Sequence, residues 1–200
     1  MVWTGTHADK KETWKGGNIL LAFALDYEDA LRRTDRANWM NPNAKWYYVG
    51  GWEKDIVIDK DTWDKIQMVS VDSEGIIHGY FTVDVNEMLS RLHSMAVINY
   101  GPKCDIVFSK DFYQFLKYLF VDKCFHKLEW TVVIGNPIEK MYDRFCKKAG
   151  GNIIGISHDS IMLRDRKPYN LKHYEVFSKG VITYLKSKER LYSNLFHKKN

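Results

Sequence analysis

The sequence predicts an α/β or α+β domain. Runs with the alternation or β-branched content of strands are interleaved with segments of helical period along most of the chain. The stretch IGNPIEKMYDRFCKKAGGNIIGI, Ile134 to Ile156, also reads as strand, tight turn, helix, tight turn, strand.

Residues 1–17 are polar and end in Gly16-Gly17, which predicts a loose arm with Trp3 and Trp14 available to dock elsewhere. NILLAFAL (Asn18–Leu25) is an apolar run of buried-strand length. Asp26 is placed to cap a helix through about Asn38, with Glu28 and Asp29 in its first turn, where acid suits the helix dipole. From Trp39 to Asp64 the chain is an aromatic-rich connection with a short strand expected at about Ile56–Ile58. Ile66–Val71, the turn Asp72-Ser73-Glu74-Gly75 and Ile76–Val85 form a hairpin, and Leu92–Tyr100 is a third strand closed by Gly101-Pro102. Phe112, Phe115, Leu116, Leu119 and Phe120 then share one face of a helix for which Ser109 is the expected N-cap.

Leu128–Ile134 is mostly β-branched or aromatic, as suits a central strand. In the helix that follows, Asn136 stands at N-cap, Pro137 at N1 and Glu139 at N3, an asparagine version of the capping box. Ile138, Met141, Tyr142, Phe145 and Ala149 make one apolar stripe, and Gly150 supplies the left-handed residue that stops the helix. Tyr142 is either a boundary tyrosine with its hydroxyl in water or a functional group. Strands are expected at Asn152–Leu163, with a break at His158-Asp159, and at Leu171–Phe177. Residues 178–200 predict an amphipathic helix with a basic tail.

Two hundred residues suit one domain (18–177) with arms, and 45% hydrophobic content supplies a sizeable core, which excludes global disorder. The net charge of +5 is a mild bias that fits an anionic cofactor without requiring one. Cys104, Cys124 and Cys146 have no CxxC spacing, so neither a disulfide framework nor a zinc site is indicated, and no His–Asp arrangement makes any of them a nucleophile. With no apolar signal-peptide core and no stretch of about 18 apolar residues, a soluble cytoplasmic protein is expected.

EGIIHGYF (Glu74–Phe81), LEWTVVIGNPIEKMYDRF (Leu128–Phe145) and GGNIIGI (Gly150–Ile156), in this order of elements, resemble the GNAT family of acetyl-CoA-dependent N-acetyltransferases. The resemblance implies a mixed, mostly antiparallel sheet with helices on both faces, splayed between Leu92–Tyr100 and Leu128–Ile134. It implies acetyl-CoA as co-substrate, no metal, and direct attack by a primary amine. Phe108, Ser109 and Lys110 are the implied pyrophosphate-side contacts, Asn136 meets the CoA arm, and Tyr142 lies near the sulfur as the acid. The family's Arg/Gln-x-x-Gly-x-Gly/Ala signature is absent between Tyr100 and Asp111, where Asp105 is an added acid, Lys103 and Lys110 are the cations, and Asp111 is expected to repel an incoming diphosphate.

For the base, His93 is expected on one face with Met95 and Val97, and His78, Asp84 and Glu87 are further candidates. Tyr47, Tyr48 and Trp52 either line an acceptor groove or pack the sheet edge. A homodimer is compatible with this reading. The rival readings are an inactive binding module on the same fold, and nucleic-acid binding through the basic C-terminus, Lys186–Asn200.

Overall fold

The computed structural model describes residues 19–39, 41–46, 56–60, 64–101 and 106–197. The expectations for residues 1–17, Tyr47, Tyr48, Trp52, Lys103, Cys104 and Asp105 lie outside the described residues. The elements are β1 (Ile19–Phe23), α1 (Glu28–Asn38), β2 (Lys65–Asp72), β3 (Ile77–Asn86), β4 (Arg91–Asn99) and α2 (Ile106–Lys117), then β5 (Lys127–Val133), α3 (Glu139–Lys148), β6 (Asn152–Met162), β7 (Pro168–Phe177) and α4 (Ser178–His197). The seven strands form one sheet in the order β1-β2-β3-β4-β5-β7-β6. Every neighbouring pair is antiparallel except β4 and β5, which run parallel.

The two faces of the sheet carry separate cores. On one, Phe81, Val83, Leu92, Met95, Leu128 and Trp130 pack against α2, α3 and the start of α4. On the other, Val69, Val71, Tyr80 and Ile98 pack against Leu31 of α1 and Ala24. Strand alternation delivers both sets, because successive side chains leave a strand on opposite faces.

Several local expectations are corrected. Asp26 caps nothing: it lies in a 3-10 turn, Ala24–Tyr27, that runs into α1 at Glu28. Ile56–Ile58 is not a strand. Side chains hold it instead, with Gln67 Nε2 donating to the Val57 carbonyl at 2.7 Å and Arg32 donating to that of Ile56 at 2.7 Å. Ser109 is not an N-cap, since α2 already includes Ile106. The helix also runs on past Lys117 through a wider π-type turn, Tyr118–Asp122.

Asn136 is not the N-cap of α3: Ile138 holds that place, so Pro137 and Glu139 are not the N1 and N3 of a capping box, and the Asn-Pro turn stands one step outside the helix. Asn136 Oδ1 accepts the Ile138 N–H at 3.1 Å, α3 begins at Glu139, and Glu139 Oε2 accepts the Gly135 N–H at 2.9 Å. The two glycines that end α3 have different jobs. Gly150 adopts φ +63, the left-handed conformation that releases the chain from the helix. Gly151 lies so close to the carbonyl oxygen of Glu175 that no Cβ fits there.

At the rim, β6 is exposed along nearly its whole length, including Ile153, Ile154 and Ile156. Its register against β7 slips between Ser157 and Ile161, around Asp159 at φ +48. The strand runs on through His158-Asp159, so what was expected there as a break is a slip of register.

Candidate active site

Strands β4 and β5 are paired only at Arg91–Lys127 and Leu92–Leu128, and beyond those residues they diverge. A charge ladder fastens the closed end. Arg91 donates to Glu129 at 2.5 Å, and Lys127 bridges Glu129 at 2.7 Å and Glu175 at 2.6 Å. The hydrogen bonds to these cations hold the Glu129 and Glu175 carboxyls below their ordinary range. The open end forms a cleft of about 560 Å³, with Met95–Ile98 on one wall and Trp130–Val133 on the other. The backbone groups on the two facing edges have no strand partner across the opening.

One residue of β4 changes the chemistry of its wall. Between Thr82 and Asp84 of β3 the pairing slips, so that Ser94 and Met95 together face Val83. Ser94 takes φ +55 to make this bulge. The extra residue breaks the alternation, so His93 does not share a face with Met95 and Val97 as expected. It lies instead on the opposite face, in register with Asp84.

The other wall is carried by β5, β7 and α3. Tyr142 is buried and meets the edge of Trp130 at 5.7 Å, and Trp130 stacks on Tyr174 at 5.0 Å with ring planes 8° apart. Tyr142 and Asn136 both line the cleft. The sequence assigned no role to Glu129, Trp130 or His173, which also line it. Trp46, from the connection after α1, packs against the Gly135 turn and edge-on to Tyr169, at 5.7 Å between ring centroids, and reaches the same cleft.

The turn bearing Asn136 is braced from behind. Lys172 Nζ bonds Glu139 Oε1 and Asp143 Oδ1 (3.2 Å), and Tyr174 Oη donates to Asp143 at 2.7 Å. Burial pulls the Lys172 ammonium down, but the two carboxylates outweigh it and hold its pKa above the ordinary value. Burial pushes the Glu139 carboxyl up, and the hydrogen bonds from Lys172 and the Gly135 N–H bring it below the ordinary range. Burial, then the bond to Asp143, raises the Tyr174 phenol, so it stays protonated.

Lys172→Met is expected to cost about 1–2 kcal/mol at pH 7, since it leaves a half-buried and a more exposed carboxylate without their shared cation. The Glu139 carboxyl is lowered on folding, so its contribution is present above the ordinary carboxylate pKa and fades as pH falls through the folded value. The gap in Tm between wild type and variant should therefore narrow from pH 7 to pH 3. A gap unchanged at pH 3 would rule out ionic bracing.

At the expected pyrophosphate end, Phe108, Ser109 and Lys110 occupy the first turns of α2. Phe108 is core: it stacks on Phe81 at 5.2 Å and covers Gly79. It has only backbone to offer a ligand. Ser109 is exposed and Lys110 half-buried. Asp111 faces inward, where its carboxylate accepts the Ser70 hydroxyl, and so does not confront an anion at the helix end. Among the described residues, no group of His, Cys, Asp and Glu gathers as a metal site, and no helix is long and apolar enough to cross a membrane.

No family model matches the chain, and no curated protein sequence does. Solved structures do match. The spermidine N-acetyltransferase from Vibrio cholerae, in complex with CoA and spermine, aligns over 82% of this chain and 98% of its own at 14% identity, with a TM-score of 0.64. A GCN5-related N-acetyltransferase from Brucella melitensis aligns over 91% of this chain and 86% of its own at 13% identity, also with a TM-score of 0.64. This chain, with its splayed parallel pair, has the fold of the GCN5-related N-acetyltransferases.

Proposed function

We propose that the protein is an acetyl-CoA-dependent N-acetyltransferase acting on a primary amine. The observation that carries this reading is the cleft between β4 and β5, whose facing backbone edges are unpaired with each other. Alternating N–H and C=O groups on two diverging edges are the donor–acceptor set that suits the amide-bearing arm of CoA. When bound, that group supplies an acetyl thioester.

The chain's residues then have distinct tasks. Asn136 holds the arm at the turn into α3. The backbone at the Ser94 bulge, pulled out of the β3–β4 ladder, faces the charge that develops on the carbonyl oxygen. Tyr142 gives the departing sulfur its proton, a modest demand because a thiol's pKa is about 8.5. Phe108, Ser109 and Lys110 lie near the N-terminal end of α2, where the helix dipole favours the pyrophosphate. In the balance, a carbon–nitrogen bond forms, the carbon–sulfur bond breaks, one proton leaves the amine and one reaches the sulfur.

The Vibrio cholerae neighbour was solved with spermine, which makes polyamines the first acceptors to try. Use of α4 as a nucleic-acid grip has less support. Val181 and Leu185 are buried, and the Tyr113 hydroxyl donates to the Leu185 carbonyl at 3.2 Å, so this part of the apolar face is already occupied.

Acetyl-CoA at 100 times its dissociation constant is expected to add about 2.7 kcal/mol, or roughly 5–10 °C in Tm for a chain of this size. Thermal unfolding backed by calorimetric titration measures this. No shift and no heat at millimolar acetyl-CoA would leave a binding module on this fold.

A further inference from the structure

We propose that His93 is the base that takes the acceptor amine's proton, that Asp84 positions it, and that the proton leaves through a second cavity behind it. The inference rests on the acetyltransferase reading and goes beyond it by naming the base and the exit.

Three observations place His93 at the reacting centre. It is the residue that follows Leu92, the last β4 residue paired with β5, so it stands where the cleft begins. The Ser94 bulge directs it to the face opposite the one that carries Tyr142, and both residues line the same cleft. A thioester held between the strands therefore has a proton donor on one side and an imidazole on the other.

His93 also lines a second cavity of about 500 Å³, together with Asp59, Lys60, Asp64, Lys65 and Asp84. Among the described residues around the two spaces, it is the one common to both.

The half-exposed imidazole is bonded to Ser94 on β4 and lies within ion-pair reach of Asp84 on β3. Its Nδ1 lies 3.8 Å from Asp84 Oδ2 and 3.1 Å from Ser94 Oγ. This leaves Nε2 to receive a proton. Lys65 Nζ, 3.5 Å from Asp84 and 3.7 Å from Asp59, keeps the second cavity from being uniformly acidic, while Glu129 and His173 face His93 from the cleft side.

An alkylammonium gives up one N–H proton to Nε2, and its freed lone pair attacks the carbonyl carbon. As the carbon–nitrogen bond forms and the carbon–sulfur bond breaks, the nitrogen sheds its second proton and the sulfur takes one from Tyr142, so one proton goes to the sulfur and one to His93. The imidazolium passes the proton to solvent in the second cavity.

The test compares His93→Ala, Asp84→Asn and the double variant with wild type. The acceptors are spermine, which is protonated at pH 7, and hydroxylamine, which is largely neutral there. His93→Ala should lower kcat with spermine by about 10²–10⁴-fold, partly restored by added imidazole. With hydroxylamine, which needs no base, the loss should be far smaller, and the affinity for acetyl-CoA should not change.

Asp84→Asn should act only through His93, so the double variant should be no slower than His93→Ala alone. A His93→Ala enzyme that keeps wild-type turnover with spermine, or loses both acceptors equally, overturns the assignment. So does a wild type that binds acetyl-CoA but turns over neither amine. Failure of wild type to bind acetyl-CoA is a different result, because it removes the underlying reading.

Discussion

Trp130→Ala is expected to destabilise the protein by about 3–5 kcal/mol, the range for removing a fully buried large aromatic side chain. At roughly 2–4 °C per kcal/mol for a chain of this length, Tm should fall by about 6–20 °C. Trp130 is 2% exposed and sits at the junction of three rings: it stacks on Tyr174, takes the edge of Tyr142 and packs against Phe145. Its loss opens a void under the cleft wall as well as in the core. Trp130→Phe should cost much less, because the indole Nε1 has no hydrogen-bond partner among the described residues and the ring stack can be kept. Denaturant unfolding of the two variants decides this. Equal losses would mean that the indole nitrogen, and not ring packing, secures the site.

Tyr142→Phe should do the opposite, leaving stability within about 1 kcal/mol of wild type while lowering kcat about 10²–10⁴-fold. The ring's edge contacts with Trp130 and Tyr174 survive in the variant, and only the hydroxyl goes. Initial rates of CoA release, beside the calorimetric affinity for acetyl-CoA, separate the two effects. If turnover is unchanged, water protonates the leaving sulfur and Tyr142 is a packing residue.

Local chemistry made much of this architecture readable from the sequence. The turn after β5 declares itself through Asn136, Pro137 and Gly150, residue types that few other backbone geometries demand, and the stripe from Ile138 to Ala149 fixes the face that α3 buries. Where tertiary contacts set the outcome, the reading failed. Ile56–Ile58 has strand composition, yet Gln67 and Arg32 satisfy its backbone in place of a neighbouring strand.

The bulge in β4 is the costliest omission. A serine at φ +55 leaves no mark in a run such as LHSMAVINY, and one extra residue was enough to invert the face assigned to His93. Glu129 and His173 went unnoticed for another reason. Glu129 meets the cleft because β5 is set beside β4, and His173 because β7 inserts between β5 and β6, choices of strand order that no local pattern encodes.

The slipped rim strand has a consequence for the protein's behaviour in a crowded solution. A rim of eleven residues bearing exposed isoleucines is a ready template on which unfolded chains could accrete through continuous backbone pairing. Two slips of register, one between Ile153 and Gly155 and one around Asp159, divide that template into short runs that are out of phase with one another. A straight incoming segment can match one run but not the next, so the growth of stacked, amyloid-like layers is frustrated by geometry at the point where hydrophobicity would otherwise invite it.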